Sequence, residues 1–159
     1  MVEKKTADSI RCKIISVGDD KNKDKDPSGK LIKDMLEREG HQIVSYVIVK
    51  DDIKDIKDEL STQDAQVYLL NGGTGIGSKA VTPDAVKDVI DTELHGFGEL
   101  FRFLSYKDIG PSAILCRAVA GINDRQLVFS MPCSEEGIKR GMEKLILPKL
   151  NYMVQKVKR

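Results

Sequence analysis

The chain has no tryptophan, only 5% aromatic residues, two histidines and three cysteines. Cys12, Cys116 and Cys133 lie far apart with no C-x-x-C pair, and His41 and His95 stand alone. That spacing supports neither a disulfide framework nor a zinc site. No apolar run approaches the ~20 residues that span a bilayer. The polar start, MVEKKTADS, lacks the apolar core of a signal peptide. Net charge is only +1, so no field of one sign draws the protein to nucleic acid or an anionic membrane. These absences predict a cytoplasmic protein with reduced thiols.

What remains is ordinary globular composition: 40% apolar and 32% charged over 159 residues. That length predicts a single domain spanning 1–159 with a sizeable core, residues 1–8 forming a flexible polar lead-in. The stretch around which the chain is organised is Asn71-Gly72-Gly73-Thr74-Gly75-Ile76-Gly77-Ser78-Lys79. Ala65–Leu70 before it has the length and polarity of a buried strand. Thr82-Pro83 behind it reads as a helix N-cap followed by the first helical residue. Glycines at 72, 73, 75 and 77 let backbone amides approach an anion closely, and a helix N-terminus adds partial positive charge. The expectation is a phosphate- or carboxylate-binding loop; the alternative is a merely flexible connection. Neither familiar glycine pattern fits. The third glycine of G-x-G-x-x-G is replaced by Ser78, and the Lys-Ser order of a P-loop is reversed in Ser78-Lys79.

Along the chain, strands are expected at Ser9–Val17, His41–Val49, Ala65–Leu70 and Gln126–Met131. Helices are expected over Lys30–Glu39 (stopped by Gly40), from Ile53 to Leu60, behind the glycine loop, over Glu99–Leu104 and over Ser112–Ala120. A last helix carries Ile138, Met142, Leu145 and Ile146, is interrupted at Pro148, and runs on through an apolar face (Leu150, Met153, Val154, Val157) that suits an interface. Alternating strands and helices predict a parallel sheet covered on both sides. Gly18–Gly29 reads as a solvated charged loop. It nevertheless follows the carboxyl end of a strand, where α/β sheets place their sites, and Asp19 or Asp20 can supply oxygen to Mg2+. Asp52 reads as a helix cap; Asp51 serves equally well as cap or functional carboxylate.

The order of several short segments resembles the molybdopterin-binding family of molybdenum cofactor biosynthesis, the MoaB/MogA type also found as the gephyrin G domain. They are Asp26-Pro27-Ser28-Gly29, Ile48-Val49-Lys50-Asp51-Asp52, Gly72-Gly73-Thr74-Gly75, Val81-Thr82-Pro83-Asp84-Ala85 and Gly96-Phe97-Gly98-Glu99. Ser105-Tyr106, Arg117-Ala118-Val119-Ala120-Gly121 and Met131-Pro132 follow in the same order. The resemblance implies a three-layer α/β/α sandwich with a mostly parallel sheet, assembled as trimers or hexamers. It implies adenylyl transfer from Mg-ATP to the terminal phosphate of molybdopterin. Asp51 and Asp19 would be catalytic and hold Mg2+. Gly72, Gly73, Thr74, Gly75, Ser28, Gly29, Arg117, Cys116 and Ser134 would bind substrate, with Lys79 a further phosphate-facing cation.

Four positions depart from that pattern. Ala80 replaces an aspartate before Val-Thr-Pro, and Cys116 a serine before Arg117. Cys133 replaces a glycine, and Gly18 a serine before Asp19. Since a methyl group can neither bind a metal nor take a proton, a non-catalytic molybdopterin carrier stands as the alternative, with Asp84 a candidate to reach in for the missing carboxylate. An ordinary nucleotide-binding domain is the third reading.

Overall fold

A β-branched, apolar segment enters a sheet wherever both its faces can be covered. In the computed structural model, which describes residues 8–158, six strands do so. They are β1 (Arg11–Val17), β2 (Gln42–Val49), β3 (Val67–Asn71), β4 (Thr92–Glu93), β5 (Val119–Asn123) and β6 (Gln126–Met131). Their order across the sheet is β2-β1-β3-β6-β5-β4. The first four in that order are mutually parallel; at the far edge β5 pairs antiparallel with β6, and β4 antiparallel with β5. Residues 1–7, most of the expected lead-in, lie outside the described residues.

The helices are α1 (Pro27–Arg38), α2 (Ile53–Leu60), α3 (Thr82–Val89), α4 (His95–Ile109), α5 (Glu135–Gly141) and α6 (Leu150–Val157). Alternation along the strands divides the core in two. Ile14, Leu69 and Phe129 face Leu36, Phe101, Ile138 and Leu150 from α1, α4, α5 and α6. Ile15, Leu70 and Val128 face Ile56 of α2 and Val86 of α3. The result is the expected three-layer α/β/α sandwich. Among the described residues no helix is long and apolar enough to cross a membrane.

Local chemistry sets most boundaries. Asp26 caps α1 by accepting from Gly29 N, with Pro27 at the first turn, and Gly40 (φ +85°) ends the helix in the left-handed conformation. Asp52 caps α2 through Asp55 N at 3.0 Å. In β2, the register shifts between Cys12 and Lys13, leaving Val44 as a bulge. The extra residue lets Ile43 and Tyr46, three apart, both pack on the α1 side. Lys13, 1% exposed, is tolerated because its Nζ reaches Glu59 Oε2 at 2.7 Å and Thr62 Oγ1 at 3.0 Å.

Three expectations are corrected. Ser112–Ala120 is no helix: a short 3₁₀ turn over Gly110–Leu115 gives way to β5. Its partner β6 follows through a hairpin whose central residues, Asp124 and Arg125, both have positive φ. Small side chains at Ala118 and Ala120 let α4 approach so closely that a Cβ on Gly98 would stand 2.8 Å from the Ala118 carbonyl. Second, α1 begins at Pro27, three residues before the predicted start, so part of the charged loop is helical. Third, α6 is not a free face, since Leu150 and Val154 are buried in the core. The interruption at Pro148 takes the form of a wide π-type turn (Met142–Ile146) and a tight 3₁₀ turn (Leu147–Lys149). Proline offers no N–H to the ladder, which is why the helix dislocates there.

His41 is buried, and its Nδ1 accepts from Ile10 N at 3.2 Å, which requires the neutral ring. Burial holds its pKa below the ordinary 6.5, partly offset by Glu39. Above 6.5 the folded and unfolded states are both neutral here; below it the unfolded chain takes the proton first, so stability falls with pH. Denaturant titrations across that range should show this slope, and His41→Asn, which keeps an acceptor, should flatten it.

Candidate functional site

The parallel register brings four strand ends level. Val17 lies beside Val49, Ser16 beside Asn71, and Asn71 beside Met131. Because β1 leads outward to β2 while β3 lies on its other side, chain direction reverses between β1 and β3, the place where open α/β sheets form their ligand crevice. The loops after β1, β2 and β3 deliver Asp19, Asp51 and the glycine loop to it.

Asp19 and Asp51 clasp each other's loops. Asp19 N donates to Asp51 Oδ2 at 3.2 Å, and Asp51 N donates to Asp19 Oδ1 at 3.0 Å. Asp51 Oδ1 also flanks Gly73, 3.4 Å from where a Cβ would sit. Gly72 and Gly73 have φ +98° and +66°. A side chain at Gly72 would strike the Val17 carbonyl, and one at Gly73 the Thr82 hydroxyl. Glycine is therefore required twice over, by conformation and by close approach. Gly72 N donates to Met131 O (3.0 Å) and Thr82 N to Gly73 O (3.2 Å), pinning the base of the loop. Gly75 through Lys79 are exposed.

Behind this crevice lies a polar cluster. Asp26, 1% exposed, accepts from Tyr46 Oη and Gly29 N, with Lys21 Nζ at 3.8 Å. Lys21 Nζ donates to Asn71 Oδ1 at 2.8 Å, and Asn71 Nδ2 to Ser16 Oγ at 2.7 Å. Burial and the Asp26 bond push the Tyr46 phenol above its ordinary value. Gly29 sits in the middle: a Cβ there would collide with Asp26 and Tyr46 and lie 2.6 Å from Ser16 Oγ.

Ser28, buried in the first turn of α1, donates to the Cys133 carbonyl. Ser134 caps α5 through Gly137 N at 2.9 Å. These residues gather at the facing starts of α1 and α5, beside the crevice and apart from the Asp19–Asp51 pair. Cys116 and Arg117 line a third place, a hollow of about 240 Å³ shared with Lys87, Glu93 and Arg102. Burial raises the Cys116 pKa, partly offset by the Ala118 backbone and Arg102, so its thiol stays protonated. The Arg117 guanidinium does not reach the crevice carboxylates. It bridges the loop, Nε donating to Gly75 O at 2.9 Å and Nη2 to Ala80 O, with Asp84 3.5 Å away.

Residues 13–152 match the family described as a probable molybdopterin binding domain. The chain belongs to that family. It is 42% identical to molybdenum cofactor biosynthesis protein B of Halalkalibacterium halodurans, covering 97% of this chain and 94% of the relative. With the Bacillus cereus protein of the same name it shares 44% identity over 95% and 92% of the two chains. Among solved structures, a molybdenum cofactor biosynthesis protein B superposes with TM-score 0.92 at 42% identity, covering 96% and 98%. The tungsten cofactor synthesizing protein MoaB from Pyrococcus furiosus superposes with TM-score 0.83 at 31% identity, covering 95% and 98%.

Within this family frame, the four departures have physical settings. Ala80 offers only its carbonyl, to Arg117. Asp84 is exposed and turned to Arg117, so it does not reach in to replace a missing carboxylate. Gly18 leaves room for Lys21, whose Cγ would lie 3.1 Å from a Cβ at position 18. Cys133 is exposed and contributes its carbonyl. Lys79 lies 3.6 Å from Asp19 Oδ2.

Thr82 is also not the expected cap. Val81 occupies that position, Thr82 is the first helical residue, and no side chain caps α3.

The sequence reading missed Ser16, Lys21, Asp26, Tyr46, Asn71 and Thr82 as parts of the site. A polar Asn71 closing a buried run just before two glycines was the available signal; the others are joined only by tertiary structure. Gly29→Ala should destabilise the fold by about 1–3 kcal/mol through overpacking. Gly77→Ala, with no atom within 4 Å of its Cβ position, should change stability by under about 0.5 kcal/mol. Paired thermal melts check both.

Proposed function

We propose that the protein acts in molybdenum cofactor biosynthesis by binding molybdopterin and adenylylating it with Mg-ATP. The observation that supports the reading is the meeting of Asp19, Asp51 and the Gly73 backbone at the strand tips. Nucleotidyl transfer asks mainly for positioning and for neutralised phosphate oxygens. In the proposed step, a terminal phosphate oxygen of molybdopterin forms a bond to the α-phosphorus of ATP. The α–β bridging bond breaks, and pyrophosphate leaves with the electron pair. Loop amides and the start of α3 hold one phosphate group.

Two adjacent carboxylates suit Mg2+, which binds through one or two carboxylates and completes its shell with water and substrate phosphate. Asp19 and Asp51 would hold it, and it would offset negative charge on the phosphates.

A second reading, molybdopterin binding without transfer, is favoured by Ala80, where the resemblance leads one to expect a carboxylate. Pyrophosphate release from Mg-ATP in the presence of molybdopterin separates the two. The expected outcome is release that stops with EDTA and falls about 10²-fold in Asp51→Asn. Molybdopterin binding by calorimetry without any release would leave the carrier reading.

Self-association belongs to this proposal. Leu100, Phe103, Tyr106 and Ile109 of α4, with Ile114 and Leu115 after it, are large apolar side chains left 49–78% exposed. A contiguous exposed stripe of this kind suits contact with further copies of the chain. Sedimentation should show a trimer or hexamer, and Phe103→Glu should shift it toward monomer.

A further inference from the structure

Among the described residues, two buried side-chain oxygens lack any hydrogen-bond partner, Thr82 Oγ1 and Ser130 Oγ. Ser130 lies within the sheet, between Leu70 and Val119. Thr82 stands at the glycine loop, and it is wholly enclosed. A buried hydroxyl without a partner is a cost that valine, nearly the same in shape, would avoid. Its position suggests what offsets that cost.

The backbone of Thr82 already holds Gly73, through Thr82 N to Gly73 O at 3.2 Å. Its hydroxyl lies against the same glycine, on the side that Asp51 Oδ1 also flanks. Gly73, the residue lying against the hydroxyl, is a glycine with positive φ, so its backbone is one that changes readily. Further along, positions Gly75 and Gly77 have no atom within 4 Å of where a Cβ would be. The tip can therefore shift without displacing packed side chains, and Gly73 can leave Thr82 once the bond from Thr82 N to Gly73 O opens. No side chain caps the first N–H groups of α3, so a helix N-terminus and an unused hydroxyl face the same loop.

We propose that the Thr82 hydroxyl is a further ligand-binding donor: a phosphate group taken up by the amides of Gly73, Thr74 and Gly75 draws Gly73 off Thr82, and Oγ1–H donates to one of its oxygens. This rests on the loop being a phosphate site, as argued under Proposed function.

Calorimetric titration of the full chain with Mg-ATP, and separately with pyrophosphate, tests it in wild type, Thr82→Val and Thr82→Ser, alongside thermal melts. The free protein makes no hydrogen bond through this hydroxyl, so Thr82→Val should melt at or above the wild-type temperature. It should also bind both probes about ten- to a hundredfold more weakly, as expected for losing a hydrogen bond to a charged group. Thr82→Ser should bind within about threefold of wild type. If Thr82→Val binds as wild type does, or melts well below it, the hydroxyl has no ligand role and the inference is overturned while the loop reading stands. If wild type binds neither probe, the loop reading falls and this inference with it.

Discussion

The geometry of the candidate site depends on one buried carboxylate. Asp26 caps the helix after β1, receives the phenol of Tyr46 from β2, and faces the ammonium of Lys21, which in turn holds Asn71 at the end of β3. One side chain thereby ties α1 to three neighbouring strands at the level where their loops begin. A polar group so deeply buried is stable only when its lone pairs are met. The surrounding donors are thus fixed relative to one another, and with them the starting points of the Asp19, Asp51 and glycine loops. Gly29 is the steric condition for this arrangement, since the donors around Asp26 fill the place where its side chain would be.

The glycine loop has a hydrogen-bonded base and a free tip. At its base, Gly72 is bonded to the end of β6 and Gly73 to the start of α3. Across it, Arg117, just before β5, spans the carbonyls of Gly75 and Ala80, drawing both flanks together. The tip between them is exposed and unencumbered. Preorganised amides reduce the cost of ordering an anion, while an unpacked tip keeps the loop able to adjust. Arg117 thus shapes the glycine loop through its carbonyls, an arrangement in which a lysine could not substitute for the planar fork.

Much of the architecture is legible in residue order. The β-branched runs, Gly40, Asp52 and the Thr-Pro pair locate elements correctly to within a residue or two. The meeting of Asp19, Asp51 and the glycine loop follows from their common place after parallel strands. Two kinds of feature are not legible. Small residues such as Ala118 and Ala120 satisfy helix and strand alike, and only the close approach of α4 makes that segment β. The cluster of Ser16, Lys21, Asp26, Tyr46 and Asn71 is drawn from four separate stretches, each of which reads locally as strand, loop or cap. No spacing rule joins them, because their proximity is created by sheet register. Arg117 shows the same limit: its charge suggests phosphate, and its surroundings give it two backbone carbonyls.

The two margins of the sheet are unequal. On one side β4 offers only two residues, too short to template another strand. On the other, β2 runs for eight largely apolar residues, all half-exposed but the exposed Gln42, and is interrupted near its start by the bulge at Val44. Among the described residues, main-chain pairing between molecules can therefore grow from one border only. Two such borders meeting would leave no open edge of useful length, so addition through the sheet would end at a pair and would not continue into a fibre.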